Sequence, residues 1–227
     1  MRKTLFTASV LAVALAAPFA QAHQAGDVIL RAGAITVDPR EDSGDIHAGG
    51  APLSGSKATL DSNTQLGLNF AYMLTDKIGV ELLAATPFSH DVGVKNMPAG
   101  LEALNGKLGS LKHLPPTLSL IYYPLDSKSA FQPYVGAGIN YTWFFDTELS
   151  SEAEAKTFSG LDIQDSWGLS AQAGMDYMLT DNIMINAQVR YIDIETTGTT
   201  YLGGTTKVKV DVDVDPFVYM VGLGYKF

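Results

Sequence analysis

The sequence predicts an all-β chain that folds as an eight-stranded antiparallel transmembrane β-barrel. Three observations predict it. Apolar residues recur at every second position over stretches of about ten residues, the period of a strand and not of a helix. Short turns alternate with long polar loops, as in barrels that cross an outer membrane. The chain also opens on an export leader: Arg2 and Lys3 precede an apolar run from Leu5 to Ala17 and a small-residue cleavage site, Ala20-Gln21-Ala22.

The leader is expected to span residues 1–22 and the barrel residues 23–227. The apolar run is too short to cross a bilayer as a helix, which takes about 20 apolar residues, and no later stretch reaches that length without a polar interruption. The first strand sets Val28, Leu30, Ala32 and Ala34 outside against Ile29, Arg31, Gly33 and Ile35. The second sets Leu66, Leu68, Phe70, Tyr72 and Leu74 against Gln65, Gly67, Asn69, Ala71 and Met73. After the turn Thr75-Asp76-Lys77, a third strand opposes Ile78, Val80, Leu82 and Ala84 to Gly79, Glu81, Leu83 and Ala85. A fourth is expected from about Thr117 to Tyr123 and a fifth from Tyr134 to Phe145. The sixth carries Trp167, Leu169, Ala171, Ala173, Met175, Tyr177 and Leu179 outside. Beyond Thr180-Asp181-Asn182, the seventh shows Ile183, Ile185, Ala187, Val189 and Tyr191. The eighth is expected to run from about Lys207 to Phe227, with a bulge near Asp215-Pro216 where the apolar parity switches from even to odd positions. Segments 40–63, 87–116, 146–165 and 196–206 are expected to be the long loops. A hairpin within Leu101–Leu111 would raise the count to ten strands.

Composition narrows the function. The formal charge is −9, and it becomes more negative once Arg2 and Lys3 leave with the leader, so nucleic acid is not an expected partner. The absence of cysteine excludes a disulfide-stapled secreted domain. Roughly 205 mature residues without a linker fit one domain. His47, His90 and His113 fall in expected loops without metal-like spacing, so neither a metal nor another cofactor is expected. The only adjacent pair resembling a nucleophile and its base is Ser89-His90, and neighbours in a strand point to opposite faces, so no enzyme activity is expected.

Several motifs in one order carry a family likeness. They include Gly79-Val80-Glu81-Leu82-Leu83-Ala84-Ala85-Thr86-Pro87-Phe88, Leu114-Pro115-Pro116-Thr117-Leu118, Pro133-Tyr134-Val135-Gly136-Ala137-Gly138-Ile139-Asn140-Tyr141-Thr142 and Asp215-Pro216-Phe217-Val218-Tyr219. With them the chain resembles the outer-membrane protein W family over essentially its whole mature length. The resemblance implies a barrel of the bacterial cell outer membrane that takes up small hydrophobic molecules. It also implies that the terminal Phe227 is read by the barrel-assembly machinery. In such a protein the surroundings are outer-membrane lipid and lipopolysaccharide. Family members carry a Trp at the inward site matching Arg190, where with the Leu83 position it forms an apolar constriction; a cation stands there in this sequence.

The residues themselves suggest how a hydrophobic solute would travel. An eight-stranded barrel is just wide enough for its own side chains to fill, so a broad aqueous pore is not expected. Arg31, Glu81, Asp176 and Arg190 all fall on inward parity, and buried charges persist only when paired, which predicts a lumenal ion-pair plug. Leu83, Ile35, Phe144 and Ile192 are inward apolar residues that either line a vestibule, with Arg190 at its constriction, or simply fill the interior. A solute blocked by the plug would leave sideways into the bilayer where the ladder fails. Proline has no N–H to give, and Pro87, Pro115 and Pro116 flank the second loop, with Pro98 inside it. These four are the expected lateral gate between the third and fourth strands, with Pro98 propping it open. The alternative is a barrel that transports nothing and serves as a structural anchor or an adhesive surface.

Overall fold

A computed structural model describes residues 22–227; the expected leader, apart from Ala22, lies outside the described residues. Eight strands form the barrel: β1 (Val28–Asp38), β2 (Asn63–Met73), β3 (Ile78–Ala85), β4 (Thr117–Tyr122), β5 (Phe131–Leu149), β6 (Ser166–Met178), β7 (Ile183–Ile192) and β8 (Phe217–Lys226). All neighbours are antiparallel, β1 pairs with both β2 and β8, and β4 pairs with β5 to close the cylinder. Closure leaves no free edge to be satisfied in hydrocarbon.

The alternation in the sequence becomes an inside and an outside. Leu66, Phe70 and Tyr72 on β2, and Val221, Leu223 and Tyr225 on β8, project from the wall, and Trp167 is 72% exposed. Such a continuous apolar exterior suits hydrocarbon and interfacial girdles, not water. Inward positions mix small, polar and apolar residues, and two of them are glycines directly opposite each other, Gly33 on β1 and Gly222 on β8. A Cβ on Gly33 would collide with the Val221 and Gly222 backbones, so the pair lets the two strands approach.

Above the barrel the chain keeps forming sheet where loops were expected. Lys57–Leu60, Phe88–Lys95 and Gly106–Leu114 continue the barrel sheet from the outer end of β5. Ala51–Leu53, Ile46–Ala48, Thr206–Asp213, Glu195–Leu202 and Phe158–Ile163 form a second sheet, and a short helix, Ser151–Ala155, is capped by the Ser150 hydroxyl. The expected eighth strand is therefore two strands. Thr206–Asp213 pairs with Glu195–Leu202, whereas β8 pairs with β1 and β7, and the break falls where Asp215 adopts φ +39° before Pro216. Residues 196–206, expected as loop, are mostly strand around a Gly203-Gly204 turn. A hairpin does form in the second loop, but from Phe88–Lys95 and Gly106–Leu114, and it stands on the rim without adding to the eight barrel strands.

Candidate functional site

The interior is layered. At the periplasmic end, Ile29, Ala71, Met73, Ile121, Tyr123, Tyr134, Met178 and Met184 form one apolar cluster. Next to it lies a polar layer. Arg31 Nη2 donates to Asp176 Oδ2 at 2.6 Å, and Arg31 Nε to Oδ1 at 3.0 Å. Arg31 Nη1 reaches Asn69 at 3.0 Å and Glu81 at 3.5 Å. Glu81 in turn accepts from Arg190 Nη2 at 2.5 Å and from Gln172 Nε2 at 2.9 Å, and Arg190 Nη2 also donates to Gln172 Oε1. The four ionisable side chains read from inward parity thus meet in one chain of contacts, formally neutral, each 0 or 1% exposed. Their mutual pairing is what makes such burial tolerable. Besides Asn69 and Gln172, three further members were missed in the sequence. Tyr123 and Asn186 donate to Asp176 at 2.9 and 2.8 Å, and His23 Nε2 donates to it at 3.0 Å from before the first strand. Arg190 therefore does not line an apolar constriction; it belongs to the ionic layer.

On the outer side of this layer is a second apolar cluster. Ile35, Leu83, Ile192, Val218 and Met220 come together inside the barrel with Val37, Phe88, Ile194, Val212 and Val214, and Phe144 packs against them. Phe144 also lines an apolar cavity held between the two extension sheets. Its walls are almost wholly apolar, with Ile46, Leu53, Met97, Leu111, Phe158 and Val210 among them. The four apolar residues picked from the sequence are thus joined in one cluster, and Phe144 connects it to the funnel above.

The wall beside this cluster has a break. The β3–β4 ladder ends at Leu83 opposite Thr117 and resumes only at Phe88 opposite His113. Between them, Ala84–Pro87 faces Leu114–Pro116 with no ladder pair in register. Each side is tied to its other neighbour instead: Thr86 N–H donates to Leu66 O at 3.0 Å, and Tyr141 N–H to Pro116 O at 3.1 Å. The Asn140 side chain also donates to the carbonyls of Pro115 and Pro116, both at 3.1 Å. Pro87, Pro115 and Pro116 therefore sit at the interruption, and the ring nitrogens leave it without donors. Pro98 does not. The hairpin carries it to the far tip, where its carbonyl accepts from Leu101 N–H at 2.9 Å, so it shapes a turn and cannot prop the break.

A histidine pair lies just above the break. His90 Nε2 and His113 Nε2 are 2.9 Å apart, and the His113 ring stacks on Phe88 and lies 5.7 Å from Phe144. Burial lowers the His90 pKa despite the nearby Asp61, and burial with His90 alongside pushes His113 down to about 3, so both are neutral at pH 7. Sequence reasoning placed both in a loop. The alternation of Phe88, His90, Val92 and Val94 with Ser89, Asp91, Gly93 and Lys95 was the available signal that His90 points inward, and Leu111 and His113 on either side of Lys112 were the signal for His113.

A sequence model of the OmpW family matches residues 24–227. The chain belongs to the OmpW family. Within it, outer membrane protein W of Vibrio cholerae is 44% identical over 227 residues, covering 100% of both chains. The crystal structure of the outer membrane protein OprG from Pseudomonas aeruginosa is 55% identical, covers 91% of this chain and 98% of its own, and superposes with a TM-score of 0.86. A more distant relative, 26% identical over 186 residues and covering 82% of each chain, is the dibenzothiophene metabolism operon protein PahQ of Pseudomonas aeruginosa. Like its OmpW relatives, the protein is an outer-membrane barrel.

Proposed function

We propose that this barrel takes up small hydrophobic molecules from outside the cell and releases them sideways through its wall into the outer membrane. One observation carries the reading: the apolar cavity leads through Phe144 to an apolar cluster with the β3–β4 break on one side and the buried ionic layer beyond. A solute reaching Leu83 meets Arg31, Glu81, Asp176 and Arg190 if it continues along the axis. Crossing that layer would separate charges that are buried away from solvent. Leaving between Ala84–Pro87 and Leu114–Pro116 breaks no ladder hydrogen bond and keeps the solute in apolar surroundings. Pro87, Pro115 and Pro116 are the gate in this reading, Ile35, Leu83, Phe144 and Ile192 the lining, and the four ionised side chains the plug. The name of PahQ, from an operon for an apolar aromatic, agrees with a cargo of this kind. Residues 1–22 serve as the export leader and Phe227 as the signal for assembly, with membrane lipid and lipopolysaccharide around the finished wall.

The test is uptake of an apolar fluorescent probe by vesicles whose outer leaflet carries lipopolysaccharide. Vesicles holding the barrel are expected to accumulate the probe faster than protein-free ones. Equal rates would leave the barrel as a structural or adhesive element.

A further inference from the structure

The paired histidines play no part in the route described so far, and their protons can be placed atom by atom. The Asp61 backbone carbonyl can only accept, so His90 Nδ1, 2.6 Å from it, carries a proton. In a neutral ring this leaves His90 Nε2 as an acceptor. His113 Nε2 must then donate the bond between the rings. A neutral imidazole has one N–H, so His113 Nδ1 keeps a bare lone pair. That atom is buried and has no hydrogen-bond partner among the described residues, on a residue only 4% exposed. His113 shares strand parity with Leu111, which lines the cavity, and its ring lies against Phe144, which lines it too. An orphaned acceptor therefore lies beside the break in the wall, on a ring packed against the cavity-lining Phe144.

We propose that His113 Nδ1 is a polar recognition point on the uptake path, accepting a hydrogen bond from a hydroxyl carried by an otherwise apolar solute. The inference rests on the uptake reading above and narrows its cargo to small apolar alcohols and phenols. The fixed tautomer gives the selection a direction. A hydroxyl satisfies the lone pair, whereas an ether or hydrocarbon of the same shape leaves it unpaired. Asp61 sets this polarity from a distance by fixing the proton on His90.

The experiment compares 2-naphthol with 2-methoxynaphthalene, titrated onto the full barrel in lipid nanodiscs with empty nanodiscs subtracted. Wild type is expected to bind 2-naphthol roughly threefold to tenfold more tightly, the worth of one net hydrogen bond. His113→Phe keeps an aromatic ring between Phe88 and Phe144, and it should erase the preference while retaining the binding of 2-methoxynaphthalene. Because it strands His90 Nε2, the double variant His90→Phe with His113→Phe is measured beside it, and the same loss is expected. Heat-dependent gel migration shows that each barrel is folded. Equal binding of the two probes by wild type, or a preference that survives in either variant, would overturn the inference while leaving the uptake reading standing. Failure of wild type to bind either probe would overturn both.

Discussion

Asp176→Ala is expected to destabilise the folded barrel by roughly 3–5 kcal/mol, the cost of leaving a buried cation without its counter-ion. Asp176 accepts from Arg31 twice and from Tyr123, Asn186 and His23, so one truncation removes five hydrogen bonds from the barrel interior. Arg31 would retain only Asn69 at 3.0 Å, Glu81 at 3.5 Å and the Tyr123 hydroxyl, and Glu81 is already shared with Arg190. The measurement is urea-dependent unfolding from lipid vesicles, followed by tryptophan fluorescence. A loss below about 1 kcal/mol, the scale of an exposed pair, would show that water screens this layer and that it closes nothing. Replacing Arg31 by Met together with Asp176 by Leu should cost less than the single truncation, because no charge is then left alone.

Closing the break in the wall is expected to reduce uptake to the level of protein-free vesicles. Continuing the β3–β4 register past Leu83 and Thr117 sets Ala84 opposite Pro116. The chain contains no cysteine, so Ala84→Cys with Pro116→Cys introduces a single possible bridge. Backbone carbonyls that accept from Asn140 and Tyr141 are unchanged by the substitution. Oxidation, or a short thiol-reactive linker, should stop transport of the apolar probe, and reduction or omission of the linker should restore it in the same protein. Full uptake through the bridged barrel would remove the lateral exit from the account.

The barrel was legible because each strand carries its own instructions. Leu66 to Leu74 and Phe217 to Phe227 alternate so regularly that only one face can meet lipid, and Thr75-Asp76-Lys77 marks a turn. Inward charges were legible for the same reason, since parity alone places Arg31, Glu81, Asp176 and Arg190 in a narrow lumen where each needs a partner. What parity could not give was distance along the axis. Pro98 lies close in sequence to Pro87, yet a hairpin rising from the rim separates them, and nothing local to Met97-Pro98-Ala99 reveals that hairpin. The histidine pair was hidden similarly. His90 and His113 stand 23 residues apart, on strands whose register shifts between Val92 and Gly93, so their contact depends on a long-range pairing. His23 reaches Asp176 across 153 positions, and no sequence window contains both.

Photolabelling by an apolar diazirine probe, added outside vesicles that hold the wild-type barrel and mapped by mass spectrometry, tests the sideways route most directly. The account predicts labels on the funnel wall, on Phe144 and Leu83, on the chain around Pro115 and Pro116, and on membrane lipid. Labels on Tyr123, Tyr134 and Met178, beyond the ionic layer at the periplasmic end, would show that solutes pass straight through and would contradict it.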